Sequence, residues 1–269
     1  MSKKMRLYFA VVMSAVILVF AYWNFGRATR SVVDFNSDWE FHLGDIKDGE
    51  MGDLQFQKVA LPHEFSGSDV GVYRKEFDVP SSWEGKLVVV DFAKSSGKID
   101  FWINGAKANA IFSKSGFEVD ITPYLRYGEV NAVAMRVGKD AVVMASTGIE
   151  GNANIIVKNK VSIARNGVDV SVAKGTDNLA KVAIRTRIAN KLTSREIINV
   201  FFEIKDANGK TVAEKELKTG IDGGALAMLS LELKIDLAQA VEPKPYTLQV
   251  SIAKGHSVLD EVVQSFEIK

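Results

Sequence analysis

Between residues 72 and 137 the chain alternates short apolar runs with turn signals, a pattern that suits a fold of short antiparallel strands. The stretch opens Val72-Tyr73-Arg74-Lys75-Glu76-Phe77-Asp78-Val79-Pro80, passes Trp83-Glu84-Gly85-Lys86 and continues into Leu87-Val88-Val89-Val90-Asp91-Phe92. That last run is apolar on both faces for most of its length, as expected of a strand covered on both sides in a sandwich. Ile99-Asp100-Phe101-Trp102-Ile103 leads into Asn104-Gly105, whose tolerance of positive φ suits a tight hairpin. Two further strand-like runs, residues 116–125 and 129–137, complete a β-sandwich of jelly-roll type.

A second series of strands begins near Lys160. Val161-Ser162-Ile163-Ala164-Arg165 and Val168-Asp169-Val170-Ser171-Val172 read as partners around a second hairpin at Asn166-Gly167. Val182, Ile184, Thr186 and Ile188 alternate with Ala183, Arg185, Arg187 and Ala189, the mark of a half-buried strand. Residues 200–205 pair through Asn208-Gly209 with residues 211–215, and runs at 226–233, 246–252 and 258–268 follow. Roughly seven strands at this spacing predict an immunoglobulin-like sandwich. The chain thus reads as all-β after its N-terminus: residues 1–30 a membrane anchor or signal segment, 31–158 a jelly-roll domain, and 159–269 an immunoglobulin-like domain.

The 269 residues suffice for a leader and two domains of ordinary size. A formal charge of +1 supplies no long-range field for nucleic acid. Without cysteine there is no disulfide, thiolate metal site or cysteine nucleophile. Lys3, Lys4 and Arg6 precede an uncharged apolar run at residues 7–23, an export signal. At about 17 residues the run sits at the lower limit for a membrane-spanning helix, and Tyr22 and Trp23 suit the far interface. A cleaved signal peptide, cut near Val19-Phe20-Ala21, is the alternative. The charge pattern predicts a cytoplasmic N-terminus, with everything after Arg30 periplasmic or extracellular; Arg27 and Arg30 weaken that orientation without reversing it.

The ordered motifs Tyr73-Arg74-Lys75, Phe77, Val79-Pro80, Trp83, Gly85-Lys86, Asn104-Gly105, Phe117, Asp120-Ile121-Thr122, Tyr124-Leu125 and Arg136-Val137 together resemble the N-terminal sugar-binding domain of family 2 glycoside hydrolases, the β-galactosidase, β-glucuronidase and β-mannosidase group. Residues 36–41 and Leu61-Pro62-His63 resemble earlier elements of that domain. Pro245-Tyr246-Thr247-Leu248 and the ending Phe266-Glu267-Ile268-Lys269 resemble strands of the immunoglobulin-like domain that follows it. The resemblance implies that catalysis belongs to a barrel carrying two glutamates, and no segment here matches either glutamate motif. Glycoside cleavage needs two carboxyl groups held across one bond. Neighbours such as Asp260-Glu261 point to opposite faces of a strand. The expectation is a chain that is not an enzyme, with no catalytic residue, metal or cofactor.

Other chemistries have weaker signals. His42, His63 and His256 lack the spacing of a zinc site. Gly223-Gly224 leads into a strand rather than a phosphate-binding helix. Asp45, Asp48, Glu50 and Asp53 could supply oxygens to calcium, but without a recognisable ligand spacing they read as a solvated loop. Sugar binding, which uses aromatic faces and planar polar groups, brings forward Trp39, Trp83 and Trp102. The resemblance assigns structural positions to Trp83 and Trp102. It also shows departures. In residues 140–152 Gly148-Ile149 is kept, but the family's following arginine is Gly151 and its aromatic residues are gone; the loop at 110–115 is shortened. Candidate contacts for glycan or partner are Trp39, His63, Trp83, Met144 and Asn152.

The function expected is a non-catalytic, membrane-anchored scaffold subunit with a protein partner in a membrane complex. Its alternatives are a tethered carbohydrate-binding module and a glycosidase half completed by a barrel on another chain. The apolar residues 141–145, if exposed, would mark a protein interface.

Overall fold

The computed structural model describes residues 30–45, 55–65, 70–113, 116–138, 147–174, 178–237 and 245–268. The N-terminal apolar run, Asp48, Glu50, Asp53, and residues 141–145 with Met144 lie outside them. Among the described residues no helix is long and apolar enough to cross a membrane. The chain forms two compact units, one of Ser31–Lys158 and one of Asn159–Lys269 that includes Arg30.

The first unit is built from β1 (Arg30–Asp34), β2 (Trp39–Leu43), β3 (Gln57–Val59), β4 (His63–Phe65), β5 (Gly71–Asp78), β6 (Leu87–Phe92), β7 (Lys98–Ile103), β8 (Ala106–Ala108), β9 (Ala110–Ser113), β10 (Gly116–Asp120), β11 (Val130–Gly138), β12 (Thr147–Ile149) and β13 (Ala153–Lys158). They form a five-stranded sheet ordered β1-β13-β6-β10-β9, a six-stranded sheet ordered β3-β2-β5-β11-β7-β8, and the small pair β12-β4. The chain crosses from one large sheet to the other at β5 to β6 and again at β6 to β7, as a jelly-roll sandwich requires. Leu87, Val88, Val89, Val90 and Phe92 are buried, which accounts for the unbroken apolar run of β6. Phe92 and Phe117 stack with centroids 4.5 Å apart, a contact worth about 1 kcal/mol beyond its area. At Asn104-Gly105 the expected hairpin is present, since Ile103 pairs directly with Ala106.

Among the described residues the second unit holds seven strands: β14 (Val161–Lys174), β15 (Leu179–Asn190), β16 (Glu196–Lys205), β17 (Thr211–Ile221), β18 (Leu226–Asp236), β19 (Tyr246–Lys254) and β20 (Ser257–Phe266). They lie in a three-stranded sheet, β14-β15-β18, and a four-stranded sheet, β17-β16-β19-β20. Val182, Ile184, Thr186 and Ile188 face the core, as their alternation predicted. The Asn166-Gly167 hairpin is corrected. Both expected strands belong to one strand, β14, which pairs along its length with β15 and shifts register between Ile163 and Val168. Asn166 takes φ +46°, so the dipeptide supplies a bulge rather than a reversal. A Cβ on Gly167 would come within 2.6 Å of Ala164 O. Within this unit Asp260 is fully buried and accepts Arg30 Nη2 at 2.6 Å, Arg30 Nε at 3.1 Å and Ile163 N–H at 2.8 Å. A buried carboxylate is tolerated because these three donors replace its water.

Candidate functional site

His63 begins β4 beside Tyr73, whose side chain is fully buried on β5. Tyr73 Oη donates to His63 O at 3.1 Å, so its single proton is engaged, and His63 Nδ1–H donates to Oη at 2.9 Å. Burial holds the imidazole pKa below its ordinary value. Burial also pushes the Tyr73 phenol upward, with the Glu64 charge adding to it. Both groups are therefore neutral near pH 7. They tie β4 to β5 rather than offering a reactive atom.

The other sequence candidates occupy different settings. Trp39, expected to contact sugar, is wholly enclosed. Its Nε1 donates to Phe35 O at 2.7 Å, and it meets Phe35 and Tyr73 edge to face. No ring face remains for a ligand, so that expectation is corrected: period-2 alternation with Phe41 points Trp39 into the core. Trp83 closes the short turn Ser81–Trp83 and packs, partly buried, against the first core. Asn152 is exposed, and its carbonyl accepts Ala93 N–H at 2.9 Å. At Gly151, where the resemblance leads one to expect arginine, the backbone passes so close to Lys94 that a Cβ would sit 2.7 Å from its nitrogen.

Several carboxylates are engaged by cations, and others by amides and backbone N–H groups, as Asp34 is by Asn36 and Asp206 by Asn208 N–H. Glu150 pairs with Lys94 and Glu196 with Lys254, and each carboxyl is held below its usual range chiefly by that hydrogen bond. Among the described residues no cluster of His, Asp and Glu could hold a metal ion. Asp45 of the acidic loop is bound instead to Arg136, through Nε at 2.8 Å and Nη2 at 2.7 Å.

The surface with most chemical character is the outer face of the six-stranded sheet. Inward Ile99, Phe101 and Ile103 force Asp100 and Trp102 outward. Register then aligns Lys58, Glu40, Arg74, Ala134, Trp102 and Lys107 in one row across the strands. Arg136 and Asp100 lie in the adjoining row. Arg74 bonds Glu40 at 2.7 Å and lies 3.9 Å over the Phe56 ring. Lys107 bonds Asp100 at 2.7 Å, which is the main reason that carboxyl titrates below its ordinary value, and its ammonium is 5.6 Å from the Trp102 ring centroid. Residue type alone brought Trp102 forward; only cross-strand register shows its neighbours.

Two β-sandwich units, the first with a polar sheet face on which Glu40, Asp45 and Asp100 are held in ion pairs, define a modular all-β protein. Their counterparts are the N-terminal jelly-roll and immunoglobulin-like domains of family 2 glycoside hydrolases, which this chain resembles in sequence and in fold. It is 25% identical over 260 residues to a β-galactosidase of Bacteroides ovatus, covering 86% of this chain and 31% of that enzyme. A β-glucuronidase of Formosa agariphila is 23% identical over 283 residues, with 86% of this chain and 29% of the enzyme covered. The crystal structure of a family 2 glycosyl hydrolase from Bacteroides cellulosilyticus superposes with a TM-score of 0.76 at 26% identity, over 89% of this chain and 36% of that one. No family model matches. The chain spans about a third of the length of the curated relatives it matches.

Proposed function

We propose that this chain is a non-catalytic interaction module, held at the outer face of the cytoplasmic membrane by residues 7–23 and serving as a scaffold subunit of a membrane-associated complex. One observation carries the reading. In the two-sandwich frame that the chain shares with its relatives, Glu150 is paired with Lys94 and Glu196 with Lys254, so neither carboxylate is free for acid–base work. The basic flank and apolar run at the N-terminus support the location. Native mass spectrometry of the full chain extracted in mild detergent tests it. A fixed complement of partner on each copy is the expected result; a bare chain recovered in the aqueous fraction overturns the reading.

A second reading, a tethered carbohydrate-binding module that presents glycan to a partner enzyme, is favoured by one specific observation. Trp102 stands half-buried on the outer sheet face, beside alanines and planar ion pairs.

A further inference from the structure

We infer that the outer face of the six-stranded sheet holds a neutral saccharide against Trp102, over a floor formed by Ala132 and Ala134; this rests on the second reading above. Adjacent strands lie about 4.8 Å apart, so Arg74 and Trp102, on either side of Ala134, have backbones separated by roughly 10 Å. Between them β11 contributes only a methyl group. Large side chains flanking a small one on a sheet make a shallow trough. One step along β11 on this face, about 7 Å away, Arg136 closes one end. In the other direction Ala132 is exposed and leaves the trough open.

The lining selects the ligand. An indole face suits the C–H face of a pyranose ring. The Arg74–Glu40 pair and Arg136, bonded to Asp45 and 3.9 Å from Asp100, offer donors and acceptors side by side, as vicinal hydroxyls require. Lys107, bonded to Asp100 and lying over the Trp102 ring with its ammonium 5.6 Å from the centroid, adds a further donor beside the indole. Charge on this face is balanced, with Lys58, Arg74, Lys98, Lys107 and Arg136 matched by Glu40, Asp45, Glu76, Asp78 and Asp100. A balanced, hydroxyl-matching face around one aromatic ring suits a neutral sugar better than a uronic acid polymer, a nucleic acid or an apolar protein surface.

The test is calorimetric titration of the full chain in detergent with cellohexaose, a linear β-1,3-glucohexaose and a linear β-1,4-galactohexaose, with tryptophan fluorescence as a second readout. At least one sugar binds. Trp102→Ala weakens it about tenfold or more, the usual consequence of truncating a central aromatic anchor. Ala134→Arg, which fills the floor and leaves Trp102 in place, weakens it likewise; Lys181→Gln, at an exposed position of the second unit, leaves it unchanged. Melting temperatures within a few degrees of the parent show that the outward-facing variants fold. Sugar binding indifferent to both Trp102→Ala and Ala134→Arg overturns this site and leaves the carbohydrate-binding reading standing. No binding of any of the three sugars overturns both.

Discussion

Asn104 Nδ2 donates to Asn131 Oδ1 at 2.7 Å, joining the β7–β8 turn to the start of β11. Asn131 is buried, and its Oδ1 also accepts Arg126 N–H at 2.8 Å, while its Nδ2 donates to Arg126 O at 2.8 Å and Glu129 O at 2.9 Å. Asn104 Oδ1 in turn accepts Ala132 N–H at 3.0 Å. Every bonding position of the Asn131 amide is used, so its loss leaves several backbone groups without partners. Asn131→Ala is expected to cost about 3 kcal/mol, measured by urea denaturation. Asn131→Asp does not rescue it, because a carboxylate cannot donate to the two carbonyls.

Two glycines separate crowding from backbone strain. At Gly151 a Cβ would meet Lys94 N at 2.7 Å, Ala93 Cβ at 3.0 Å and Lys94 Cβ at 3.1 Å. At Gly105, with φ +81°, nothing lies within 4 Å of the added atom. Gly105→Ala is expected to cost about 1 kcal/mol, the strain of the left-handed region alone. Gly151→Ala is expected to cost about 2 kcal/mol or more because backbone must move. Gly151→Arg, which restores the residue expected from the family, costs at least as much. Thermal unfolding of the three variants checks the order.

His63 sets a pH dependence. Its folded pKa is depressed by burial below the ordinary 6.5, so on acidification the unfolded chain takes up the proton first. The stability that depends on a neutral imidazole is complete above that ordinary value and is lost as pH falls towards the folded pKa. Between pH 7 and 5 the parent therefore loses more stability than His63→Gln, read as the shift in urea midpoint. Asp100 and Glu150 have depressed pKa values and lose their contribution below the ordinary carboxylate range, outside this window.

Local pattern carried much of the fold. The alternation at Val182, Ile184, Thr186 and Ile188 defines the buried face of β15, and the apolar run of β6 marks a strand inside a sandwich. Asn-Gly shows where local reading stops. The same dipeptide turns the chain at Asn104-Gly105 and only bulges it at Asn166-Gly167, because β15 pairs with β14 on both sides of the bulge. That pairing is long-range and has no local signature. Tryptophan shows the same limit at the site. Residue type made Trp39 and Trp102 equal candidates, but one is enclosed by Phe35 and Tyr73, while the other lies on the outer face. Strand alternation separates the two. The alanine beside Trp102 comes from a strand distant in sequence, and only register supplies it.

Glycoside turnover by the full-length chain, purified in mild detergent and assayed with an aryl β-D-galactoside and an aryl β-D-glucuronide, tests most directly whether this two-sandwich frame binds without cutting. The expected result is aryl release at the rate of buffer alone. Saturable release that follows the protein through its final column and disappears on heating would contradict a non-catalytic role.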